Sequence, residues 1–151
     1  MKSVHRRLER RGTTTVEAAL VLGTVLLVLL TILDLGLAVC QYNVLAGAAG
    51  AVARTAIVHG SAAPPQVDSW GPAQYSATAA DSSEIAAAAV PFLGPLSPQN
   101  VSITVTWPDA SNQAGSRVTV QLAYNHQTFS QLVGTWGAIP LQATCTLSIV
   151  H

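Results

Sequence analysis

The chain has 151 residues, of which 50% are hydrophobic, 5% aromatic and 9% charged, and its formal net charge is zero. This length allows one small globular unit beside a membrane segment. Five of the seven Lys and Arg residues precede residue 12, and membrane topology explains so short a basic arm beside an apolar run, which argues against nucleic-acid binding.

The amino-terminal part of the chain predicts one long helix over residues 13–58, preceded by a basic leader over residues 1–12. The stretch from Ala18 to Cys40 is apolar, with Asp34 as the single charge. A bilayer core requires roughly 20 apolar helical residues, and a helix satisfies its own backbone hydrogen bonds there. Residues 18–40 are therefore expected to span a membrane. The basic flank predicts a cytoplasmic amino terminus and places residues 59–151 outside.

The outer half of this helix is rich in small residues. Ala46 and Gly50, and likewise Gly47 and Ala51, have a spacing that lets another element approach the backbone closely; drift towards an Ala-rich composition is the less favoured alternative. Gly60 is expected to end the helix in a carboxyl-terminal cap.

The remainder predicts a small α+β head. Residues 60–80 are typical of a turn-rich loop, and Asp81–Glu84 resembles a capping box ahead of a short helix from Ser82 to about Val90. Three segments alternate with period two, which predicts three antiparallel strands with one apolar face. A loop over 108–115 and a helical turn over 128–135 should connect them. The outer half of the long helix is the nearest cover for that apolar face.

Two cysteines, Cys40 and Cys145, allow one intramolecular disulfide in an extracytoplasmic compartment. Geometry decides whether such a bond forms, and two small apolar thiols are an equal alternative.

No catalytic constellation or metal-like spacing appears in the sequence. The four histidines are scattered (His5, His59, His126 and His151), and His126 is expected at the surface. The sequence therefore predicts no enzyme activity, no metal and no cofactor.

The segment from Arg11 to Leu22, together with Ile32 to Gly36, resembles the TadE-like pseudopilins of tight-adherence (Flp-type) pili. The likeness lies in a basic residue and Gly12, then Glu17 as the fifth residue after that glycine, an apolar run, and Asp34 before a small residue. It covers roughly residues 10–55.

The resemblance implies that a membrane aspartyl prepilin peptidase cuts between Gly12 and Thr13. It also implies that Glu17 pairs with the new amino terminus of a neighbouring subunit, because a carboxylate at the edge of the apolar run is costly unless paired. Asp34 could make a polar contact between helices of different subunits. The expected partners are membrane lipid, the prepilin peptidase and other pilin or pseudopilin subunits.

Alternatives remain at this stage. Glu17 could simply favour the first helical turn, and Asp34 could reach water at the outer interface. Cleavage before Cys40 as in a lipoprotein, or after Ala48 by a signal peptidase, fits the sequence less well. The chain could also be an uncleaved single-pass membrane protein with an extracytoplasmic binding head.

Overall fold

The structure, a computed structural model, describes residues 3–128 and 138–150, with side chains from Thr14 onward. Helix α1 runs without a break from Ser3 to Ala56. It begins earlier than residue 13 because Arg and Glu are good helix formers and no proline interrupts the leader. Its most apolar window has a mean hydropathy of 2.6 and is entirely unburied, so α1 is long and apolar enough to cross a membrane.

Helix α1 ends before the predicted Gly60 cap. The N–H groups of Val58 and His59 bond to the carbonyls of Thr55 and Ala56, and the His59 ring donates from Nδ1 to Thr55 O over 2.8 Å. These bonds satisfy carbonyls at the helix end, so a glycine in the left-handed conformation is not required.

Among its described residues, the head contains four antiparallel strands, not three. Strands β1 (Tyr75–Thr78), β2 (Val101–Thr106), β3 (Arg117–His126) and β4 (Ile139–Ser148) form one sheet in the order β1-β2-β3-β4. The three predicted strands are confirmed, and β1 was missed. Helix α2 (Glu84–Ala89) and two single 3₁₀ turns, at Val90–Phe92 and Pro98–Asn100, join β1 to β2.

Two aromatic residues hold the segment that leads into the sheet. Trp70 stacks on His59 with ring centroids 3.9 Å apart, and the Tyr75 hydroxyl bonds to Asp81 and Ser83. The short helix is confirmed, but its N-cap is Ser83, whose Oγ accepts from Ala86 N over 3.2 Å. The predicted turn over 128–135 falls, apart from its first residue, outside the described residues.

The apolar face of the sheet packs on the outer half of α1, as the sequence predicted. Buried residues alternate along β2 and β3, and the strands that lie against α1 are β3 and β4. The helix side of this interface is built mainly from small residues, namely Ala48, Ala49, Val52, Ala53 and Ala56. The small residues of the outer helix therefore admit the head's own sheet, while Ala46 and Gly47 remain exposed.

This division of the helix faces predicts opposite outcomes for two neighbouring alanines. Ala49→Leu should lower the free energy of unfolding of the head by about 1–3 kcal/mol, because the added carbons overpack a closed interface. Ala46→Leu should leave it nearly unchanged, since Ala46 is exposed. Urea unfolding of the full chain in detergent, followed by tryptophan fluorescence, measures both. Equal effects would contradict the packing.

The β2–β3 hairpin is closed by an ion pair. Arg117 donates from Nη2 to Asp109 Oδ1 over 2.6 Å and from Nε to Oδ2 over 3.2 Å, and its backbone N–H also donates to Oδ2 over 2.8 Å. These hydrogen bonds lower the pKa of Asp109 from 3.8 to about 2. The ionised form of Asp109 is thus more stable in the folded chain than in the unfolded one.

The lowered pKa of Asp109 predicts that the hairpin loses stability at acid pH. Because the folded pKa lies below the unfolded one, the stabilisation is complete above about pH 4 and is lost as the pH falls towards about 2. Hydrogen exchange of the hairpin amides should accelerate in that window, beyond the intrinsic pH dependence. Asp109→Asn is the control, and it should remove the additional acceleration.

Candidate assembly site on the long helix

Helix α1 has two regions with different surroundings. From Thr14 to Leu33 every side chain is exposed, on all sides of the helix. From Asp34 onward one face is covered by the head, and the covered positions recur every three or four residues, at Asp34, Ala38, Gln41 and Leu45. This spacing keeps them on one face of a helix with 3.6 residues per turn. The uncovered region is therefore available to lipid or to other helices.

Glu17 lies in the uncovered region. Its side chain is exposed, and it forms no ion pair with another residue that the structure describes. In the uncut chain it stands several turns inside α1, far from the positive end of the helix dipole. The peptide bond between Gly12 and Thr13 also lies within α1. Cleavage there would place Glu17 close to a new amino terminus.

Asp34 is buried against the head and contacts a histidine. His126 Nε2 lies 3.2 Å from Asp34 Oδ1, and His126 Nδ1 lies 2.7 Å from Gln41 Oε1. Asp34 is 7% exposed and His126 is 3% exposed. Asp34 therefore does not simply reach water, and the polar contact that the structure shows is within the chain.

The expectation that His126 is a surface residue is wrong. Strand β3 buries Val118, Val120 and Leu122, and the same period of two carries His126 to the core face at the end of the strand. That alternation was present in the sequence and could have placed the ring. Its partner could not have been found, because Asp34 lies 92 residues earlier in the chain.

The disulfide that the sequence left open is not present. Cys40 and Cys145 are both free thiols, the first exposed and the second half-buried. Cys40 follows the covered Ala38 by two positions, a rotation of about 200° around the helix. It therefore points away from the sheet that carries Cys145.

The head offers little for small-molecule chemistry within the described residues. A shallow open depression of about 650 Å³ is lined by Ala79, Asp81, Ala87, Val90 and Pro98 among others. Its carboxylate, on Asp81, already accepts hydrogen bonds from Tyr75 and from Ser82 N. No group of three His, Cys, Asp or Glu residues within the described residues could hold a metal ion.

Comparison with known proteins agrees with the resemblance found in the sequence. Residues 12–54 match the family model described as TadE-like protein. No curated protein and no solved structure matches the chain. The matched segment contains Gly12, Glu17 and Asp34 and most of α1. Helix α1, which bears the exposed Glu17 and the buried Asp34, is thus the part in which this chain is similar to the TadE-like family.

Proposed function

We propose that this protein is a minor pseudopilin-like component of a tight-adherence-type pilus or a related secretion apparatus. It inserts in the bacterial cytoplasmic membrane with its amino terminus inside, is cut after Gly12, and packs its helix beside other pilin subunits. The observation that carries the proposal is the fully exposed apolar run from Thr14 to Leu33, which bears Glu17 without an ion-pair partner among the described residues.

Cleavage would change the balance of charge. Residues 1–12 contain five basic residues and one acid, so the remainder keeps two basic and six acidic side chains, a formal charge of 2 − 6 = −4 before the new amino terminus is counted. A basic flank holds its side of a helix in the cytoplasm. Removing it lowers the barrier to moving the helix out of the bilayer, which a subunit of an extruded fibre requires.

The new ammonium group would also give Glu17 a partner. An unpaired carboxylate costs on the order of 2.5–3.5 kcal/mol at the centre of a membrane helix and less near its ends. Because Asp34 is already engaged with His126, Glu17 is the acidic group on α1 that remains for contact with another subunit. Pairing it with Thr13 of a neighbour would favour assembly over dispersal in lipid.

Processing after Gly12 can be tested directly. Mass spectrometry of the membrane-bound protein should show a chain starting at Thr13 in cells with a prepilin peptidase, and the uncut chain in cells without it. Gly12→Leu should block processing in the first strain, because a side chain at the cut position hinders an extended backbone in the protease cleft. An intact Met1 terminus in both strains would remove the processing claim.

Replacing Glu17 tests the assembly role. Glu17→Gln keeps the size of the side chain and abolishes its charge, so pilus assembly should be lost while membrane insertion stays normal. Glu84→Gln is the matched control, since Glu84 is exposed on the head and far from the apolar run. Normal assembly with Glu17→Gln would favour an uncleaved single-pass protein with a binding head.

A further inference from the structure

One end of the head lies beside Asp34 of α1, and the other end lies beside the carboxyl terminus of the helix. His126 is the last residue of β3 and contacts Asp34, and in the β3–β4 register it stands opposite Ile139. At the other end, Val150 N donates to Ile57 O over 3.1 Å. The β3–β4 pair therefore runs along α1 from Asp34 to the carboxyl-terminal end of the helix, which Ile57 follows. This fixes which end of the head faces the membrane.

The uncovered part of α1 below this level fits one bilayer. The segment Thr14–Leu33 contains twenty residues, which is about 30 Å of helix and equals the thickness of a typical hydrocarbon core. Arg10 and Arg11 precede it, as expected at a cytoplasmic boundary. The exposed Leu35, Leu37 and Val39 rise no more than about 8 Å above Asp34, within the headgroup layer.

We propose that the membrane-proximal end of the head, bounded by Asp34, His126 and Ile139, rests on the outer lipid surface. Residues Thr14–Leu33 then cross the hydrocarbon core. The outer boundary of that core lies at Asp34, six residues before the boundary at residue 40 that hydropathy predicts. The apolar Leu35, Leu37 and Val39 extended the hydropathic run, but they lie above the level at which the head begins. The surface is continuous with the membrane-crossing face of α1.

The contact is apolar in character. Ile139, 40% exposed, and the neighbouring exposed Pro140 are the side chains at this end of β4. Among the described residues, the acidic and the basic side chain at this level, Asp34 and His126, are turned towards each other and are both buried. Because His126 is not presented to the lipid, the contact needs no anionic headgroups. This inference rests on membrane anchoring alone, so it stands or falls independently of the pilus role.

Fluorescence quenching in vesicles tests the contact. The full chain with Cys40→Ser and Cys145→Ser receives one new cysteine, at Ile139 or Pro140, labelled with a nitrobenzoxadiazole dye in phosphatidylcholine vesicles. Lipid carrying a nitroxide on its headgroup should remove most of the dye's fluorescence at both positions. Gln113→Cys, in the exposed β2–β3 hairpin at the far end of the head, should keep its fluorescence and serves as the control.

Two results would overturn the proposal. One is fluorescence at both Ile139 and Pro140 as insensitive to the nitroxide as that at Gln113. The other is quenching that appears only when phosphatidylglycerol is added, because the contact would then depend on charge. The boundary itself is checked with Leu30→Cys and Tyr42→Cys: a nitroxide on the acyl chain should quench the first strongly and the second weakly, and the reverse order would refute a boundary at Asp34.

Discussion

His126→Ala should lower the free energy of unfolding of the head by about 1–3 kcal/mol, because it removes the ring that contacts the buried Asp34 side chain. Gln41 is only half-buried and can turn to water, so the cost falls mainly on Asp34. Thermal unfolding of the full chain in detergent, followed by near-ultraviolet circular dichroism, measures the loss. Asn125→Ala is the control, since this neighbour on β3 is exposed.

A double substitution separates this contact from general damage to the strand. Replacing both partners of a buried polar pair with apolar groups is often nearly neutral, whereas replacing one leaves the other unsatisfied. Asp34→Leu combined with His126→Leu should therefore be more stable than either single variant. A double variant whose loss equals the sum of the two single losses would show that the two side chains do not act as a pair.

Leu45→Ala should destabilise the docking of the head on α1 by about 2–5 kcal/mol, the usual cost of emptying a closed apolar site. Leu45 is 0% exposed and is among the largest fully buried side chains of the described chain. It lies between the polar contact at Gln41 and the small residues Ala48 and Ala49, where the sheet meets the helix.

The matched control uses the same side chain two turns lower. Leu37 is 39% exposed and lies outside the buried core cluster, so Leu37→Ala should change head stability by only a few tenths of a kcal/mol. Limited proteolysis reports the effect, because a detached head exposes the buried face of the sheet. Equal protease sensitivity of the two variants would mean that Leu45 does not fasten the head to the helix.

The strands that the sequence predicted correctly are those with long alternation. Val101, Ile103 and Val105 on β2 are all fully buried, as period two requires. Strand β1 was not predicted because its four residues are too few to show a clear alternation within a turn-rich loop. It also forms only by pairing with β2, which lies more than 20 residues later in the chain. Tertiary pairing created that strand, so local propensity could not reveal it.

The same limit applies to the candidate site. Glu17 could be singled out because the apolar run around it makes one carboxylate conspicuous. Asp34 was equally conspicuous, but its burial depends on His126, and no local pattern links residues so far apart in the chain. The small residues of the outer helix predicted that another element packs closely against α1, but not which element. In the structure, the sheet of the same chain packs against that face.

Because α1 is unbroken, it also fixes the orientation of the head around the helix axis. The head contacts α1 from Asp34 to the end of the helix at Ala56, and the helix continues without a break back to Glu17. The number of residues between Glu17 and Asp34 therefore fixes the direction of the head around the helix axis relative to Glu17. Each residue added between Glu17 and Asp34 would rotate the head by about 100° around the helix axis and move it by about 1.5 Å along that axis. Seven added residues would bring the head back to nearly its original orientation. The length of the apolar run thus determines the side of α1, relative to Glu17, on which the head lies.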